Sequence, residues 1–124
     1  MAQRNDLQYI DLSYLIDYSN GNKKFMSDMM EQCIESVMDV IPKLKLNLEQ
    51  QNWEKLYEES HKFISVIPFA GFGAILSDMQ AIEKLSKTYN PEKEKELRNL
   101  VLNAIEYCQL ALTELLQEYG KIKE

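Results

Sequence analysis

From Lys23 to about Gln50 the apolar residues fall at helical spacing. Met26, Met30, Cys33, Val37, Val40 and Leu44 follow one another at steps of four and three. A second stripe through Ile34, Met38 and Ile41 widens that face, which predicts a long helix packed between neighbours. Pro42 lies inside it, where it removes one backbone hydrogen bond and should bend the helix. The remaining segments repeat the pattern. Asp11 can cap a short first helix through Leu12-Ser13-Tyr14-Leu15-Ile16, and Ser19-Asn20-Gly21-Asn22 stops it and caps the long one.

After a break at Gln51-Asn52, Asn52 caps a third helix that opens at Trp53. Its stripe of Trp53, Leu56, Ser60, Phe63, Ile67 and Ala70 predicts one element through Ala70. Pro68 inside that element should free the Ile64 carbonyl and kink the helix. Gly71 and Gly73 make the corner into a fourth helix with Ile75, Met79, Ile82 and Leu85 facing inward. Asn90 caps the last helix and Pro91 takes its first position, where a missing N–H costs nothing; Leu97, Val101, Ala104, Cys108, Ala111 and Leu115 form its inner seam. Four substantial helices with short connections predict an all-α, antiparallel four-helix bundle with a short additional N-terminal helix. One domain is expected over 1–124, with a polar tail at about 1–8.

Composition narrows the function classes. Four glycines and three prolines in 124 residues leave few turns for an all-β fold. A formal net charge of −6 argues against nucleic acid, which needs a basic patch to displace counterions. Cys33 and Cys108 fall on core stripes and do not form a disulfide framework; one histidine excludes a multi-histidine metal site. The polar start Met1-Ala2-Gln3-Arg4-Asn5-Asp6 lacks the apolar stretch of a signal peptide. The longest uncharged run, Phe63 to Leu76, is too short to span a bilayer. A cytoplasmic monomer is expected, with no membrane contact and no metal or other cofactor. The run Glu92-Lys93-Glu94-Lys95-Glu96 is a solvated helix start.

The one histidine is the informative residue. At about 100° per residue, His61 lies roughly 115° from the centre of its helix's apolar stripe, so it should be exposed on the flank. Ser65, Glu58 and Lys62 point further outward, while Tyr57, Ile64 and Pro68 border the core. An isolated surface histidine is the plain reading of such a residue.

The surrounding motifs carry a resemblance. Ser60-His61-Lys62-Phe63, with Gly71-Phe72 beginning ten residues after the histidine, is similar to the phospho-acceptor window of the histidine-containing phosphotransfer (HPt) domain. Upstream, Tyr9-Ile10-Asp11-Leu12-Ser13-Tyr14-Leu15 resembles the family's N-terminal segment. Gly21-Asn22 with Phe25 resembles the start of its long helix, and Asn52-Trp53-Glu54-Lys55-Leu56 the start of its histidine helix. The resemblance covers about residues 9 to 118. It implies a phosphocarrier rather than an autonomous enzyme, in which Nε2 of His61 takes a phosphoryl group from the aspartyl phosphate of a response-regulator receiver domain and passes it to another. The receiver supplies Mg²⁺ and most catalytic groups, and a hybrid sensor histidine kinase is a further expected partner. The chain itself has no Gly-x-x-x-x-Gly-Lys phosphate loop and no kinase catalytic set.

The chain departs from the family at two positions. The family has a lysine three residues after the histidine and then a glycine; here these are Ile64 and Ser65. Lys62 and the Ser65 hydroxyl are the candidates for stabilising the phosphoryl group. Losing one charged hydrogen bond costs roughly 1.5–3 kcal/mol, about tenfold to a hundredfold in rate. Glu58, one turn before His61, is a candidate acceptor for Nδ1–H. Ile64, Pro68 and Phe72 are candidates for an apolar docking patch, together with Met29 or Met38, and Glu58 is a candidate for its polar rim. The alternative from another class is a degenerate HPt-fold adaptor that binds a receiver or kinase without carrying phosphate.

Overall fold

A computed structural model describes residues 7–123, and every regular element among them is helical. The elements are α1 (Ser13–Ser19), α2 (Lys23–Glu49), α3 (Trp53–Ile64), α4 (Ile67–Ala70), α5 (Leu76–Lys87) and α6 (Glu94–Lys123). Helices α2, α3, α5 and α6 close a ring of pairings: α2 packs on α3 and α6, and α5 packs on the same two. The short α1 and α4 touch each other and α2.

Local chemistry sets most boundaries. The Asp11 carboxylate accepts from the Ser13 N–H at 2.9 Å at the start of α1. Asn20 takes a left-handed φ of 51° and ends it. The Asn22 side chain then caps α2 by accepting from the Phe25 N–H at 2.9 Å, and Asn52 caps α3 by accepting from the Lys55 N–H. Asn90 caps a 3₁₀ turn over Pro91–Lys93 that runs into α6.

The inner faces match the sequence stripes closely. Met30, Val37 and Leu44 of α2, Met79 and Ile82 of α5, and Leu97, Val101, Ala104, Cys108, Ala111 and Leu115 of α6 are all buried. Two expectations fail at the edge of the core. Met38 is 58% exposed, although Ile34 of the same stripe is buried and Ile41 packs against the core. Leu85 is only partly buried.

The third element is not one helix through Ala70. It stops at Ile64, and a separate single turn, α4, carries Ile67–Ala70. Pro68 has no N–H to donate to the Ile64 carbonyl, so the ladder cannot cross it. Instead the Val66 N–H donates to the Phe63 carbonyl at 2.9 Å, and Pro68 sits in the first turn of α4, where it breaks nothing.

Residues 7–12 form a strap across one end of the helices. One Glu114 carboxylate of α6 accepts the backbone N–H groups of Gln8, Tyr9 and Ile10 at 2.6, 2.8 and 3.1 Å. The Tyr107 hydroxyl donates to the Tyr9 carbonyl, and the Asp11 N–H donates to the Gly71 carbonyl at 2.9 Å. Ile10 and Leu12 are buried beneath. The expected polar tail at 1–8 therefore ends earlier, since Leu7 packs on the core and Gln8 is bonded. Its first six residues, the polar start Met1-Ala2-Gln3-Arg4-Asn5-Asp6, lie outside the described residues.

Candidate functional site

The pairing of α3 with α5 builds the surroundings of His61. Trp53 stacks on Tyr89 with ring centroids 4.5 Å apart, the Lys87 ammonium lies over the Tyr57 ring, and His61 meets Glu83. The partner number falls as the α3 number rises, so the two helices run antiparallel. Ser60 and Ser86 are buried, and each donates its hydroxyl to a carbonyl one turn back in its own helix, Leu56 and Ile82 respectively. Neither leaves an unsatisfied polar group in the packed interior.

His61 stands out from this seam with 67% of its side chain exposed, as its helical phase predicts. Its Nδ1 pairs with Oε2 of Glu83, whose side chain is only 25% exposed. The Tyr57 ring stacks near-parallel to the imidazole at 5.7 Å, and Lys87 Nζ lies 5.7 Å from the Tyr57 ring centroid. A carboxylate on Nδ1 selects the tautomer with its proton there, which leaves the Nε2 lone pair for a reacting partner. A carboxylate in that place would also stabilise positive charge developing on the ring. Among the described residues no hydroxyl or thiol is hydrogen-bonded to His61, whose contacts are the Glu83 carboxylate and the Tyr57 ring.

The other sequence-derived candidates divide. Glu58 is exposed, and Glu83 takes the place proposed for it on Nδ1. Glu58 shares a helix with His61, whereas Glu83 reaches the ring directly across the α3–α5 seam. Lys62 lines a groove of about 330 Å³ between α2 and α3, beside Glu35, Asp39 and Glu59, while the partners of His61 come from α5 and from Tyr57. The Ser65 hydroxyl donates to the Lys62 carbonyl at 2.8 Å, which ties its proton to the end of α3. Phe72 is fully buried, edge-on to Phe63 and Tyr107, and so drops out of any docking patch. The corner after α4 turns its ring into the core. Ile64 is partly buried, Pro68 is exposed and Met29 is partly buried.

The thiols are core groups. Burial pushes Cys33 up to about 11 and Cys108 up to about 12, which keeps both in the unreactive thiol form. Among the described residues no three His, Cys, Asp or Glu side chains are grouped as a metal site requires, and no helix is long and apolar enough to cross a membrane.

Sequence reasoning missed Glu83 and Lys87. Both lie on the flank of α5 beside the buried Ile82 and Ser86, so their helical phase was legible. The register that brings Glu83 to a histidine 22 residues away was not. Comparisons with protein-family models, with curated proteins and with solved structures return no match to this chain.

Proposed function

We propose that the chain is an HPt-like four-helix bundle that carries a phosphoryl group on His61 between aspartates of receiver domains in a two-component phosphorelay. One observation carries the reading: an exposed imidazole on a helix flank has Nδ1 held by the Glu83 carboxylate, with no other nucleophile among the described residues bonded to it. The motif order around residues 9–118 supports it independently. In the forward step, Nε2 attacks the phosphorus of an aspartyl phosphate. The new N–P bond forms as the P–O bond to the aspartate breaks, and the aspartate leaves as a carboxylate. The Nδ1 proton stays on the ring, shared with Glu83. The next receiver reverses the sequence. A phosphocarrier of this kind acts in the cytoplasm, as a monomer, downstream of a hybrid sensor kinase.

A second reading, an adaptor that binds a receiver without accepting phosphate, is favoured by Ile64 standing where the family has its cation. One experiment separates the two. Incubation with receiver domains phosphorylated by ³²P should give acid-labile, base-stable label on the chain, absent from His61→Gln. Receiver binding without such label favours the adaptor and ends the relay reading.

A further inference from the structure

The proposed relay lacks an obvious cation for the phosphoryl oxygens. Ile64 is apolar, and Lys62 lines the acidic groove between α2 and α3. The α3–α5 seam supplies another. Lys87 is one helical turn beyond Glu83 on α5, as Tyr57 is one turn before His61 on α3. Its ammonium rests 5.7 Å from the Tyr57 ring centroid, and that ring is 5.7 Å from the imidazole. We propose that Lys87 is the phosphoryl-binding cation of the site, parked on Tyr57 while His61 is free and moving to the phosphoryl oxygens when His61 reacts.

Three features support this. A lysine ammonium sits on a flexible four-carbon stem, so rotamer changes alone move it over several ångströms. An exposed cation–π contact is weak and is readily exchanged for a doubly charged phosphoryl group. The two α5 groups then divide the work. Glu83 stabilises the charge that grows on the ring, and Lys87 balances the charge on the transferred oxygens. Tyr57, in contact with both, holds the ammonium on the histidine side of the seam in the meantime. The inference rests on His61 being the phospho-acceptor.

Potassium phosphoramidate tests it without a partner protein. Nε2 displaces ammonia as the P–N bond of the reagent breaks, and phosphohistidine is followed by ³¹P NMR. Lys87→Ala should slow phosphorylation about ten- to a hundredfold, the cost of one charged hydrogen bond, with circular dichroism unchanged. Lys87→Arg should restore most of the rate, and Lys84→Ala, the same charge change on an exposed neighbour, should leave it as it was. Label in the parent chain with an undiminished rate in Lys87→Ala overturns the role of Lys87. So does a loss seen with Lys62→Ala in its place. Absence of label on His61 in the parent chain overturns the phosphotransfer reading and this inference with it.

Discussion

At the residue scale, the contact between His61 and Glu83 joins two side chains that ordinary surface statistics would leave solvated and separate. A hydrogen bond to a ring this exposed contributes little to stability, so its value lies in orientation. With Nδ1 engaged, the ring presents one nitrogen outward and keeps one tautomer. Replacing Glu83 by Ala should leave the fold intact and slow phosphohistidine formation about ten- to a hundredfold, the scale of one charged hydrogen bond. Glu83→Gln keeps an acceptor oxygen without the charge and should fall between the two. Initial phosphorylation rates, read beside ¹⁵N spectra of the imidazole, check both parts. A rate loss with no change in tautomer would show that Glu83 does not act through Nδ1.

At the scale of elements, the segment from Ile64 to Gly73 decides how the histidine helix ends. Pro68 stops the ladder, and α4 covers the gap with a single turn. Gly71 then closes that turn at a φ of 76°, a left-handed conformation that side chains disfavour. A Cβ at this position would collide with the Asp11 carbonyl. The close approach is what lets the Asp11 N–H reach the Gly71 carbonyl and dock the strap. Gly71→Ala should therefore destabilise by about 1–3 kcal/mol, from backbone strain and the lost contact together. Urea unfolding monitored at 222 nm gives the measurement. Gly73→Ala serves as the contrast, since a Cβ there meets nothing within 4 Å and its φ is not left-handed.

At the scale of the whole molecule, a single core joins all the long helices, and two thiols lie inside it. Cys33 comes from α2 and Cys108 from α6, and these helices pack together. Neither should react with a thiol reagent at pH 8 until the chain unfolds. Their shifts also set a pH dependence. An unfolded chain loses the thiol protons near 9, whereas the folded one keeps them until about 11 and about 12. Unfolding between those values releases protons, so the thiols add no slope from pH 7 to about 8 and make stability decline as pH rises above 9. Tyr107, raised to about 12 by burial and carrying the strap through Tyr9, adds in the same direction. Urea midpoints from pH 7 to 11 test the trend, and a midpoint that rises above pH 9 would contradict it.

Stripe spacing and capping residues determined the helical content, the starts of α2 and α3, and the inward faces of α2, α5 and α6. These depend on interactions within a few residues, and local chemistry is written in local sequence. The exposure of His61 was legible for the same reason, because helical phase is a local property. Only tertiary packing decided its neighbours. The antiparallel register of α3 on α5 brings Glu83 and Lys87 to the histidine side and leaves Lys62 in the groove against α2. The Gly71 corner turns Phe72 inward, away from the surface where its sequence position had suggested a docking role. The strap over α6 likewise depends on Glu114, more than a hundred residues away in the chain. No spacing rule encodes such meetings, because they follow from how whole helices fit together rather than from which residues lie nearby in the sequence.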